Sequence, residues 1–314
     1  MKVFQPKKII LQIVKATALF LLISGALLYI LPIYFSDTIT KKVQSIANEK
    51  LESEIQFNSI HISFFQHFPS LTIALVDVKL KGSKPFEKKD LLTAKTIALG
   101  INVGSLLTDH MTFDAVYIEN GNINVQVDKL GHANYNIYKS VSNDTPAPSN
   151  EESGLKINKI IFIDTDLTYQ DLSIPVAINL KKLNYLGQGD LTSSIFDLKT
   201  HADIGSFDFN LDGVNYLQSK PVQADLITRI NTESLSLIFS KNDLKIKNLP
   251  LSFEGHFDIL KNGYELDFNL KTKHTTLQEV VSLLPPTYDH WIQDTKMSGN
   301  TEIQVSLKGK HIAN

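Results

Sequence analysis

The spacing of apolar residues changes twice along this chain. Residues 16–35, ATALFLLISGALLYILPIYF, carry no charged side chain. A helix of about twenty such residues matches the roughly 30 Å hydrocarbon layer of a bilayer, so this run predicts a membrane anchor. The segment that follows, residues 37–51, takes a helical period, with Val43, Ile46 and Ala47 on one face and Lys41, Lys42 and Glu49 away from it. It predicts a short amphipathic helix whose apolar face packs on the protein that follows.

From Ile55 the period becomes two. Ile60, Ile62 and Phe64 alternate with polar residues, as do Leu71, Ile73 and Leu75, then Val76, Val78 and Leu80, then Ile97, Leu99, Ile101 and Val103. Strands with one apolar and one wet face are expected, an alternation typical of antiparallel sheet. The change of phase between Leu75 and Val76 predicts a bulge or a strand whose buried face changes along its length.

Two Asn-Gly pairs extend the expectation to hairpins with positive φ in their turns. With Asn262-Gly263 central, Ile259 faces Leu266, Phe257 faces Phe268 and Asp258 faces Asp267. With Asn120-Gly121 central, Ile118 faces Ile123 and Val116 faces Val125. Matched apolar pairs at both turns make local up-and-down topology the default.

The segment 140–154, SVSNDTPAPSNEESG, is polar and without period, and reads as a flexible linker or loop. It divides the chain into a cytoplasmic stub and anchor (1–36), an amphipathic helix with a first β segment (37–139), and a second β segment (155–314). The second contains strands marked by Ile160 to Ile163, Val176 to Leu180, Phe207 to Leu211 and Leu235 to Phe239. One helix, near 276–284, interrupts it: Thr276 and Glu279 make a capping box, Leu277, Val280, Val281 and Leu284 form a face, and Pro285-Pro286 stops it. Such a helix could plug or cover one end of a sheet. The chain ends soon after a strand-like run, which suggests a truncated chain or an incomplete assembly unit.

Charge and composition narrow the function. Lys2, Lys7, Lys8 and Lys15 precede the apolar run with no acidic residue, which favours a cytoplasmic N-terminus and puts the bulk of the chain across the membrane. The competing cleaved signal has a shorter apolar core, of about 7–15 residues, and a small-residue cleavage site that is not evident here. With 31 basic and 33 acidic residues interspersed, no nucleic-acid surface is expected. The absence of cysteine excludes disulfides, thiolate catalysis and cysteine-ligated metals.

No catalytic motif stands out. The nine histidines are scattered without ligand spacing, and no nucleophile elbow or phosphate loop is present, so neither metal nor cofactor nor enzymatic activity is expected. Asp289-His290-Trp291 reads as local packing and Gly187-Gln188-Gly189-Asp190 as a turn. Asp164, Asp166 and Asp171 lack the glycine and glutamate of a calcium loop and mark wet faces and turns. The apolar strand faces are left as the functional material. They close into a barrel, stack as a sandwich, or form an open gutter for an apolar ligand, and alternation alone does not separate these.

The order of several motifs carries a family resemblance. After the N-terminal apolar run come Ser63-Phe64-Phe65-Gln66-His67-Phe68-Pro69-Ser70, Leu75-Val76-Asp77-Val78-Lys79-Leu80-Lys81-Gly82 and Leu92-Thr93-Ala94-Lys95-Thr96-Ile97. Ser105-Leu106-Leu107, Val116-Tyr117-Ile118-Glu119-Asn120-Gly121-Asn122-Ile123 and Asp128-Lys129-Leu130-Gly131-His132 follow, then Leu283-Leu284-Pro285-Pro286 and Ser298-Gly299. Nearly the whole chain resembles AsmA-type proteins of the diderm bacterial envelope, a group that includes TamB and is similar to chorein-like bridge proteins.

The resemblance implies a mainly β fold with an N-terminal transmembrane helix: an elongated, antiparallel, curled open β-groove, taco-like, with one short capping or plugging helix. It implies a single-pass inner-membrane protein, largely periplasmic, that carries phospholipid acyl chains along an apolar groove in outer-membrane biogenesis. The alternative is a non-catalytic scaffold that influences the assembly or targeting of outer-membrane or other periplasmic envelope proteins. Groove candidates are Ile62, Phe64, Ile73, Leu99, Ile101, Val116, Ile118, Ile123, Val125, Phe209, Phe257 and Phe268. At about 4.8 Å per strand, roughly fifteen strands would stack to about 70 Å.

Overall fold

The structure is a computed structural model that describes residues 51–107, 112–139, 157–191, 193–260, 263–285, 288 and 295–312, with 14–20, 22–23, 25–26, 44–45 and 49 before them. The predicted amphipathic helix, save three helical positions, the linker 140–154 and the Asp289-His290-Trp291 cluster lie outside the described residues. Those described between 14 and 26 are helical, and Val14, Leu19, Phe20, Leu22 and Ile23 are exposed. No described helix is long and apolar enough to cross a membrane.

The fold is mainly β, built on one large, curved, mixed sheet. Its strands are β1 (Ile55–Gln56), β2 (Ser59–His67), β3 (Ser70–Lys81), β4 (Asp90–Ile101), β5 (Phe113–Val127), β6 (Lys159–Asp171), β7 (Val176–Gln188) and β8 (Ile195–Leu211). Then come β9 (Val214–Asn231), β10 (Ser236–Ile246), β11 (Leu249–Leu260) and β12 (Gly263–Thr272). β13 (Thr275–Thr276) and β14 (Asn300–Thr301) pair apart from it, and β15 (Gln304–Ile312) returns to it beside β12.

The order along the sheet is β1-β3-β4-β5-β6-β7-β8-β9-β10-β11-β12-β15, with β2 also on β3. Neighbours in sequence are neighbours in space. Twelve strands on this path span about 53 Å at about 4.8 Å per step, less than the stack of fifteen expected. β15 pairs with neither β1 nor β2, so the described sheet is not a closed barrel.

The all-antiparallel expectation is corrected at one place: β5 and β6 run parallel, with Val116 beside Ile160 and Val125 beside Tyr169. A parallel pair needs a crossover of a dozen or more residues, and the stretch from Asp128 to Asn158 supplies it. The two β segments therefore share one sheet.

Asn120-Gly121 is not a turn. β5 runs straight through it, and Asn120 takes a left-handed φ of 49° inside the strand. Left-handed residues recur at adjoining positions in the neighbouring strands, at Asp77 (53°), Asp164 (45°) and Lys182 (53°). Asp and Asn tolerate this region better than most residues because their short side chains bond locally. Together these residues crease the sheet, and each reverses the parity of its strand. Val116 and Ile118 lie on the same face as Ile123 and Val125, although the two pairs differ in parity. The phase change foreseen near Val76 is the same crease at Asp77.

The second Asn-Gly pair does adjoin a turn, but the register differs by two residues. Leu260 pairs with Gly263, Ile259 with Tyr264 and Phe257 with Leu266, so the turn residues are 261 and 262, outside the described set, and Gly263 opens β12. Two smaller corrections follow. Val103 belongs to a 3-10 helix, Val103–Leu107, and the capped helix is shorter than expected, at Leu277–Val281. Its capping box is formed as the sequence predicts.

One polar centre knits the N-terminal strands. Asn134 is fully buried; its Nδ2 donates to Asn124 O (2.7 Å) and its Oδ1 accepts from the Gln126 N–H (2.9 Å). Its carbonyl accepts from the Ser83 N–H (2.8 Å), joining the β3–β4 loop to the crossover. Asn134→Ala removes both side-chain bonds from part-buried backbone groups and should cost about 2 kcal/mol. Hydrogen exchange at the Gln126 amide checks it: the variant should lose protection there first.

Candidate functional site: the apolar face of the sheet

The registers place apolar residues in rows that run across the strands. One row reads Ile62, Ile73, Leu99, Val116 and Ile160, from β2 to β6. The next row reads Ile60, Leu75, Ile97, Ile118, Phe162, Tyr185, Ala202, Ala224, Leu244 and Leu251, one residue from each strand from β2 to β11. Beyond the crease run Leu80, Leu92, Ile123, Leu167, Leu180 and Phe207. Val125, Tyr169, Ile178, Phe209 and Leu217 form a fourth row.

All four rows share one face. Leu180 on one side of the crease packs in the same cluster as Leu183, Phe162, Ala202, Ala224 and Leu244 on the other. At the far end Phe239 faces Gly255, Gly255 faces Phe268 and Phe268 faces Leu307. Because Gly255 has no side chain, the rings of Phe239 and Phe268 meet across it, 5.6 Å between centroids, and both contact Phe253.

Burial shows how this face stands towards solvent. On it Ile60, Leu80, Ala202, Ala224 and Leu251 are buried, most other row residues are part-exposed, and among the described residues no phenylalanine is fully buried. Among the described residues the strands pack mainly on their neighbours in the sheet, and cover comes locally, where Leu51 and Ile137 pack with Leu80, Leu92 and Val125 and where the segment at Ser282 reaches Lys220. Large apolar side chains on an uncovered sheet are costly to leave in water, at about 25 cal/mol per Å². A contiguous apolar patch of this kind marks a binding surface.

Nine of the twelve residues singled out from sequence lie half-buried in these rows, namely Ile62, Ile73, Leu99, Val116, Ile118, Ile123, Val125, Phe209 and Phe268, and Phe257 is half-buried beside them, between Leu237 and Leu266. Phe64 lies off them, in an aromatic cluster with Phe65 and Phe68 at the β2–β3 tip. Ile101 is 3% exposed, between Leu71 and Phe113, and is core rather than lining. Phe162, Tyr185, Phe253 and Leu244 are lining residues absent from that set; Phe253 and Leu244 alternate with polar neighbours, whereas Phe162 sits in the continuous apolar run Ile160 to Ile163 and Tyr185 precedes Leu186, so alternation does not mark these two.

Polar groups that reach this face are neutral or paired. Burial, then the Asp171 carboxylate, pushes the Tyr169 phenol up to about 12, and its hydroxyl donates to Asp171 (3.1 Å). Lys220, beside Phe207, donates from Nζ to the Ser282 carbonyl (2.8 Å), which brings the segment after the Leu277–Val281 helix against the β9 end of the face.

The reverse face carries the charge. Asp267 pairs with Lys308 (2.8 Å) and Glu265 with Lys310 (3.4 Å) across β12 and β15. His201 contacts Asp225 (2.7 Å) and Asp203 (3.2 Å), and the Asp225 carboxylate raises its pKa. Such exposed pairs contribute little stability. A polar cleft of about 580 Å³ lies at the strand ends on this side. In it His67 stacks on Tyr117 (3.7 Å) and meets Glu119 (3.4 Å), while Ser70 donates to Asp114 (2.6 Å). The serine thus faces a carboxylate and the histidine faces another. Asp171 caps the β6–β7 turn by accepting the Ser173 and Ile174 N–H groups. Among the described residues, no group of three or more His, Cys, Asp or Glu side chains gathers as metal ligands would.

The AsmA family model matches residues 7–283. The chain belongs to the AsmA family. The match begins before the apolar run and ends after the capped helix, so it covers the rows up to β12. Membership in the AsmA family points to a role in the cell envelope. No curated protein matches the chain.

Proposed function

We propose that this AsmA-family protein carries phospholipid, with acyl chains lying along the apolar face while the head groups stay in water. In this reading residues 16–35 anchor the chain in the bacterial inner membrane, the N-terminus is cytoplasmic, and the sheet stands in the periplasm. The observation that carries the proposal is the apolar row crossing from β2 to β11, in which Leu75, Ile97, Ile118, Phe162, Tyr185 and Leu244 stay part-exposed although Ile60 and Leu251 are buried. A closed core would bury them. The exposed apolar residues of the helical stretch between 14 and 26 support the anchor, since lipid would cover them.

No step of this function needs catalysis. An acyl chain gains by covering half-exposed Ile, Leu and Phe, and it moves because successive rows offer similar surfaces. The scaffold alternative draws on one feature, the outer edge of β15, where Val305, Leu307 and Ile312 are exposed and another strand could add. Organic extraction of the purified full chain, followed by mass spectrometry, tests the choice. The lipid reading expects co-purified phospholipid at about one or more molecules per chain, whereas a lipid-free preparation that still captures envelope proteins favours the scaffold.

A further inference from the structure

The sheet has a second apolar and charged feature at the end where the chain enters it, at Leu51. Leu51 bridges to Tyr138, and the Glu52 N–H donates to the Ile137 carbonyl (2.8 Å). Beside that point two loops are tied together: residues 82–89, between β3 and β4, and residues 128–139, after β5. The Ser83 hydroxyl donates to Ala133 O (2.8 Å), and Lys89 Nζ donates to Gln126 Oε1 (2.9 Å).

These loops expose side chains that ordinary turns do not. Leu130, at the tip of the second loop, is 81% exposed, and Tyr138 and Tyr135 are 73% and 51% exposed. Lys84, Lys88 and Lys129 are exposed around them. Glu87 is the one carboxylate of the first loop. Asp128, the one carboxylate of the second, is held by His132 (2.9 Å) and by the Leu130 and His132 N–H groups. The combination of an exposed leucine, two tyrosines and excess lysine is that of a surface meeting anionic head groups, where aromatic rings sit at the boundary and lysines face phosphate.

We propose that the two loops form a docking surface for an anionic bilayer, pressing the N-terminal end of the sheet onto the membrane that holds the anchor. The inference rests on the anchor reading above. Charge complementarity and place in the chain select this occupant: only the residues from 36 to 50 separate the end of the apolar run from Leu51. Docking would hold the first apolar rows, at β2 to β5, against the lipid source and restrain the sheet's tilt.

The full chain has no cysteine, so single labelled positions are clean probes. Leu130→Cys carries a spin label in full-chain proteoliposomes of phosphatidylcholine alone or mixed with phosphatidylglycerol. Ser234→Cys, in the distant β9–β10 turn, is the reference. With phosphatidylglycerol, the ratio of oxygen to water-soluble nickel-complex accessibility at position 130 should rise several-fold over the reference. The triple change Lys84→Glu, Lys88→Glu and Lys129→Glu should abolish that rise. A label at 130 as aqueous as the reference, in chains that float with the vesicles, overturns the docking surface and leaves the anchor standing. Chains that fail to float overturn both.

Discussion

Gly255→Val should lower the melting temperature of the protein by about 10 °C and free the amides of β11 and β12 to exchange. Gly255 has a φ of 146°, a region essentially closed to residues with a side chain, and a Cβ there would strike the backbone carbonyl of Asp267 in the facing strand. Strain of this kind costs about 1–3 kcal/mol before the clash is counted. Relief requires β11 and β12 to separate, which also breaks the contacts of Phe268 with Phe239 and Phe253. Thermal melts and hydrogen exchange read the two effects. Loss of protection confined to β11, β12 and β15 is the expected pattern, because the rest of the sheet is joined only through neighbours.

Phe268→Glu should fold but lose bound phospholipid, whereas Ile101→Glu should not fold. The difference follows from burial. Phe268 is half-buried on the apolar face, where water still reaches a carboxylate, so the stability cost stays near that of lost ring packing, about 1 kcal/mol. An acyl chain crossing that point would meet an ion it cannot solvate. Ile101 is 3% exposed, and a charge there has no water to meet, at a cost of several kcal/mol. Circular dichroism and lipid extraction on both variants separate the outcomes. Equal unfolding of both would mean that Phe268 belongs to a closed core.

Much of this surface was legible in the alternation of residues. The apolar positions of β2 to β5 fall on the rows that their period of two predicts, since a strand with one buried face has little freedom of register. Asn120-Gly121 misled because an in-strand left-handed residue and a two-residue turn leave the same trace. Each reverses the parity of the apolar positions around it, and only the facing strands tell them apart. The shift at the second Asn-Gly pair has a similar cause: moving a register by two residues keeps every side chain on its face, so Phe257 meets Leu266 as readily as Phe268.

The parallel contact of β5 and β6 left no local signal, because it depends on where a long crossover returns. Ile101 was read as lining because alternation reports the face of a side chain and says nothing of what covers it. The small residues Ala202 and Ala224 lie in the centre of the longest row, where they let larger neighbours pack, and alanine carries too weak an apolar signal to mark a lining position in the sequence.

The most direct test of the account is photo-crosslinking in living cells that produce the full chain. A benzophenone side chain is placed in turn at Phe162, Tyr185 and Phe268 on the apolar face, and at Lys199 and Asp225 on the reverse face. The account predicts phospholipid adducts at the first three positions and none at the last two. Absence of lipid at all five positions, or equal labelling of both faces, would contradict it.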